Sequence, residues 1–482
     1  MWSDVLLSPQ EPAAVSVTSD VRRIALTLFR ASRGIWHRAK WILPKGMGFI
    51  RSVASLAVSL LVTHPARASA PAFDIKQLFV VLSVFALVLA VINFFAFFMH
   101  KFSLDRNTRL TTFSLTAAPP EQILESVGQA IWTNPEVNLR LETAANVVKY
   151  DKTLREIDPL VSLFLVQFIL RLKNEHGPAG IGTFDDRKLS LRTDMRSSLL
   201  NRPELPVRLQ QTSYFRDRLS NGLINWRVRI NNRHAFDFVD EAFEVRTRVD
   251  GTQVASLRHV ENSRLANQLG GCTILITRDA WVVYLRQAER SEENRYKLAP
   301  SGSGSFDASS IAPFIGKTMQ DFVRAEISRE LCEECGLAPE DVHATQVCGY
   351  GRYVYRAGKP EFFAVSTTRK DYEEIEVPRR EWDWQYKEKE GLQLEHLNRR
   401  GTFAAFCDSV ADALEQHARA LEENHALNPV SGPVIWNLQF AASYIRLAED
   451  SRRRVLLEPL GPPGVALGRV VGPMVGPLVG EA

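Results

Sequence analysis

Cysteine is scarce and scattered in this chain of 482 residues: Cys272, Cys332, Cys335, Cys348 and Cys407 are all it holds. An odd, dispersed set of thiols excludes a disulfide framework and suits a reducing compartment. Cys332 and Cys335 form a C-x-x-C, but no second pair and no nearby histidine completes a zinc site. The ten histidines show no ligand spacing. Excess charge is lacking too. A formal net charge of +4 points to no polyanionic partner, and nucleic-acid binding is not expected. With 45% hydrophobic and 24% charged residues the chain belongs among globular proteins, and its length allows two or three domains.

Acids are also few in the first 76 residues, where basic residues run from Arg22 to Arg51. The short apolar run Ser52–Val62, followed by small residues up to Ala70, has the layout of a signal peptide. A weakly structured basic leader is the better reading, because a signal normally begins at the N-terminus. Leu78–Met99 carries no charge, and only Ser83 and Asn93 are polar. At a rise of about 1.5 Å per residue such a run crosses a hydrocarbon core of about 30 Å, so residues 77–100 are expected to form a single transmembrane helix. Lys101, Arg106 and Arg109 follow it and favour a cytoplasmic C-terminal side.

Residues 101–210 read as a mainly helical region. Pro119-Pro120-Glu121 opens a plausible helix to Ile131, and Asp158-Pro159 another over Leu160–Leu172. Around Asn201–Pro206 a boundary is expected. Strands follow at Asn225–Ile230, at Cys272–Thr277 and Trp281–Arg286 as a hairpin, and at Gln346–Tyr355 and Glu361–Thr368. Pro300–Ser305 reads as a flexible loop, and Lys359 as a solvated lysine in a turn. Amphipathic helices are expected over Thr402–His425 and Val434–Ala448. Residues 451–482, rich in Gly, Pro and Val, read as a disordered tail.

The stretch richest in chemistry is Arg329-Glu330-Leu331-Cys332-Glu333-Glu334-Cys335-Gly336-Leu337. Thr318 suits the N-cap of its helix, with Asp321 three residues on, and Gly336 suits the end. Val323, Ile327 and Leu331 make a buried stripe. At 100° per residue Glu326, Glu330 and Glu334 fall along its edge, with Glu333 slightly beyond. Carboxylates bordering a core, with oxygen donors only, suit hard divalent cations.

That stretch resembles the second half of the Nudix box, G-x5-E-x7-R-E-U-x-E-E-x-G-U, at every fixed position. In the first half Asp321 stands at the Glu position and Ile315 at the Gly position, with Gly316 one residue late. The resemblance implies an α/β fold, an α/β/α sandwich with a mixed sheet over residues 211–450. It implies Mg²⁺ or Mn²⁺ held by Glu330, Glu333 and Glu334, with Arg329 orienting a carboxylate. The activity implied is hydrolysis of a nucleoside diphosphate linked to another moiety. The general base is Glu330 or an acid on a later segment: Glu361, Glu373, Glu374 or Glu376. A Nudix-fold nucleotide-binding module without turnover is the alternative, on the strength of Ile315 and Asp321.

Overall fold

The computed structural model describes residues 102–157, 185–230, 233–287, 296–378 and 388–463. The basic leader, the span Leu78–Met99, the helix expected over Leu160–Leu172 and the part of the expected tail from residue 464 lie outside the described residues. The tail does not begin at residue 451 as expected, because Asp450–Leu457 is a helix that buries Leu456 and Leu457. Among the described residues no helix is long and apolar enough to cross a membrane.

The fold is mixed α/β, with a nine-stranded sheet at its centre and three smaller sheets beside it. The central strands are β1 (Gln122–Ser126), β2 (Gln129–Thr133), β3 (Gly270–Ile276), β4 (Trp281–Arg286) and β5 (Leu298–Ala299). They continue with β6 (Gly302–Ser305), β7 (Val342–Tyr353), β8 (Lys359–Thr368) and β9 (Glu388–Gln393). Their order is β5-β4-β3-β8-β7-β2-β1, with β6 pairing β3 and β9 pairing β4. The β3–β8 pair is parallel and its neighbours are antiparallel, so the sheet is mixed.

Every residue of β3 and of β8 is buried, as central strands covered on both faces must be. Along β8 the side chains alternate between two cores. Phe363 and Val365 join a cluster with α2 (Phe403–Glu423) and α3 (Gly432–Leu447). Phe362 and Ala364 join another with Phe322, Val323 and Ile327 of α1 (Met319–Cys335).

Among the described residues of the region 101–210, expected to be mainly helical, strand outweighs helix. The region contributes β1 and β2 to the central sheet. Val148–Leu154, Arg187–Leu191 and Val207–Ser213 form a small sheet of their own. The helix expected from Pro119 to Ile131 is the β1–β2 hairpin, turning at Val127 and Gly128 with φ of 45° and 73°. Two consecutive positive φ values make the tight turn that suits strand twist. Ile123, Val127 and Ile131 recur every four residues, which mimics a helical face. In the hairpin Leu124 stands opposite Ile131 instead. Through β2, which pairs with Gly351–Tyr353 of β7, the sheet extends across the boundary expected near residue 206.

Candidate metal centre

Helix α1 forms where its local chemistry predicts. The Thr318 hydroxyl accepts from the Asp321 amide at 3.2 Å and donates to the Asp321 carboxylate at 2.7 Å. Gly336 ends the helix at φ 65°. Asp321 is thereby a capping residue, exposed in the first turn and about 13 Å along the axis from Glu330. Ile315 is exposed in the preceding loop, and Gly316 takes φ 83° there. That loop is tied to the small sheet, with the Gly316 amide donating to Val148 at 3.0 Å. The first half of the motif therefore builds the entry to the helix and stands apart from the acids.

Glu326, Glu330 and Glu334 line one buried edge of α1, while Glu333 is exposed. The edge faces β6. Pro300–Ser305, expected as a flexible loop, is where this strand forms, because glycine lets it lie against the helix. A Cβ on Gly302 would come within 2.6 Å of the Leu331 Cα, and a Cβ on Gly304 would overlap the Glu330 carboxylate. The strand and the segment after it give their amides to the acids. Ser303 donates to Glu334 Oε2 at 3.0 Å, and Asp307 donates to Glu326 Oε2 at 3.4 Å.

Arg329 sits among these carboxylates. Its Nη1 donates to both oxygens of Glu333 at 2.9 Å, and its Nη2 to Glu330 at 2.5 Å and to Glu326 at 3.3 Å. The Asp307 carboxylate lies 3.7 Å from Nη2 and is also bound by Lys188, from the small sheet. Glu326, Glu330, Glu333 and Asp307 thus share two cations among the described residues. Burial pushes the Glu330 carboxyl up to about 7; Arg329 opposes that rise and Glu333 adds to it. Burial works against the Arg329 charge, but Glu330 and Glu326 outweigh it and hold the guanidinium above its ordinary range.

The donor set suits a hard divalent cation: carboxylate oxygens, short of positive charge, beside a glycine whose missing side chain leaves the Glu330 carboxylate its place. Among the described residues, however, no three His, Cys, Asp or Glu side chains converge as a metal-holding group.

The other expected acids do not join the cluster. Glu361 pairs in register with Gly270, where a Cβ would meet its Oε2 at 2.6 Å. A Cβ on the next residue, Gly271, would meet Ile327 of α1. Successive strand residues point to opposite faces, so Glu361 lies on the side of the sheet away from α1. Its partner there is Lys359, which is buried at 3% exposure and is not a solvated turn lysine. Glu373, Glu374 and Glu376 are exposed, and no hydrogen bond or ion pair among the described residues ties them to the cluster.

Sequence reasoning missed Asp307, Lys188 and Glu142. Glu142 is buried at 4% exposure and binds Gln320 and Arg324 of α1, the Val347 amide of β7, and Arg452 of α4 (Asp450–Leu457). Nothing in the local sequence signals that role, since all four partners are distant along the chain.

No family model matches the chain, and no curated protein does. Among solved structures, DR0079 from Deinococcus radiodurans is similar over 27% of this chain and 69% of its own length, at 17% identity and a TM-score of 0.19. A likeness that slight carries no argument here.

Proposed function

We propose that this protein is a membrane-anchored, Mg²⁺- or Mn²⁺-dependent hydrolase of the Nudix type, built on an α/β/α sandwich. Its substrate is a nucleoside diphosphate linked to another moiety. The observation that carries the reading is the buried edge of α1. There the Arg-Glu-Leu-x-Glu-Glu pattern of residues 329–334 lies against a glycine strand that leaves the Glu330 carboxylate room.

Glu330, Glu333 and Glu334 would hold the ion. The ion, when bound, neutralises phosphate oxygens and activates water. Until an ion is bound, Arg329 orients Glu330 by the 2.5 Å hydrogen bond. A carboxyl with pKa about 7 is suited to exchanging a proton with water near neutral pH, which favours Glu330 as the base over the later acids.

A nucleotide-binding module without turnover is the second reading. It is favoured by the distance of Asp321 from the cluster and by the placement of Glu361 across the sheet. The two part in a screen of nucleoside diphosphate derivatives with Mg²⁺, using the full-length protein because the central sheet needs β1 and β2. Turnover that falls by about 10²-fold or more in Glu333→Gln or Glu334→Gln supports the hydrolase. Binding without release of phosphate or nucleotide across the panel leaves the module.

The anchor rests on Leu78–Met99, and the reduced thiols and nucleotide substrate favour a cytoplasmic catalytic side. Deleting residues 1–101 should shift the protein from the membrane pellet to the supernatant on fractionation. A truncated protein that still pellets overturns the single anchor.

A further inference from the structure

Resting on the metal-dependent reading above, we propose that Arg329 is the resident counter-ion of the site, and that a divalent cation binds by displacing its guanidinium from Glu330 towards Asp307. Three observations carry this. Arg329 stands where the acids meet, in contact with Glu330, Glu326 and Glu333 at once. Arg329 holds Oε1 of Glu330, so an ion bound to that carboxylate would stand beside a guanidinium of like charge and repel it.

The guanidinium also has somewhere to go. Asp307 Oδ2 lies 3.7 Å from Nη2, just beyond hydrogen-bond reach. The Arg329 Nε–H is buried without a hydrogen-bond acceptor, so the guanidinium is imperfectly satisfied where it sits. Lys188 occupies the other oxygen of Asp307 and keeps that carboxylate beside the site. Arg329 thus acts as a positioning residue with a second duty: it keeps buried acids neutralised until an ion arrives.

The test is calorimetric titration of the full-length protein with Mn²⁺ alone, comparing wild type with Arg329→Met. Loss of a competitor and of one adjacent positive charge should tighten Mn²⁺ binding roughly tenfold or more. A residue that only orients a ligand gives the opposite result, weaker binding in the variant, and equal or weaker binding overturns displacement. If Arg329→Met does not fold, the ¹⁵Nε–H resonance of Arg329 in the wild type decides the matter. It should shift on saturation with Mg²⁺; an unchanged resonance in the ion-bound protein overturns the proposal. If wild type binds no Mn²⁺, the hydrolase reading fails and this inference with it. Binding that Arg329→Met does not tighten overturns the displacement alone.

Discussion

Gly304→Ala should weaken Mn²⁺ binding severely while leaving the protein largely folded, and Gly302→Ala should do the reverse. Both glycines face α1, but they meet different obstacles. A methyl on Gly304 falls on the carboxylate of Glu330, the end of a side chain that can turn away at the cost of the site's geometry. A methyl on Gly302 falls on the main chain of Leu331, which cannot turn away. Forcing β6 off the helix there should cost about 1–3 kcal/mol, in line with overpacking elsewhere. Urea unfolding and Mn²⁺ titration of both variants separate the two effects. If Gly304→Ala binds the ion as wild type does, Glu330 is not a ligand.

The largest loss of stability should come from Glu142→Ala, about 3–5 kcal/mol by urea unfolding. Its carboxylate is the shared acceptor for Arg324 at 3.0 Å and Arg452 at 3.1 Å, and it also takes the Val347 amide. Removing it strands two guanidinium groups and an amide in a partly buried place, which costs more than the pairs themselves contribute. Glu142→Gln keeps one acceptor oxygen and should lose less. Equal losses for the two variants would mean that the charge, and not the hydrogen-bond geometry, holds this junction.

Helix α1 was legible because its signals are local. Thr318, Asp321 and Gly336 act within a turn of themselves, and the helical period alone puts Glu330 and Glu334 beside the core and leaves Glu333 outside it. What was illegible depends on partners far along the chain. Gly302 and Gly304 read as loop residues because the reason for them is the helix against which they lie. The face taken by Glu361 follows from its parallel pairing with Gly270. Lys359 is an ordinary turn lysine until that pairing buries it beside Glu361. The β1–β2 hairpin shares its apolar spacing with a helix, and its pairing with β7 decides between the two.

That the buried edge of α1 is a divalent-cation site is tested most directly by anomalous scattering from crystals soaked in Mn²⁺. The expected result is a peak bounded by Glu330 and Glu334 beside Gly304, with the Arg329 guanidinium moved towards Asp307. Crystals showing no peak at those acids at saturating Mn²⁺, with Arg329 still bound to Glu330, would contradict the account.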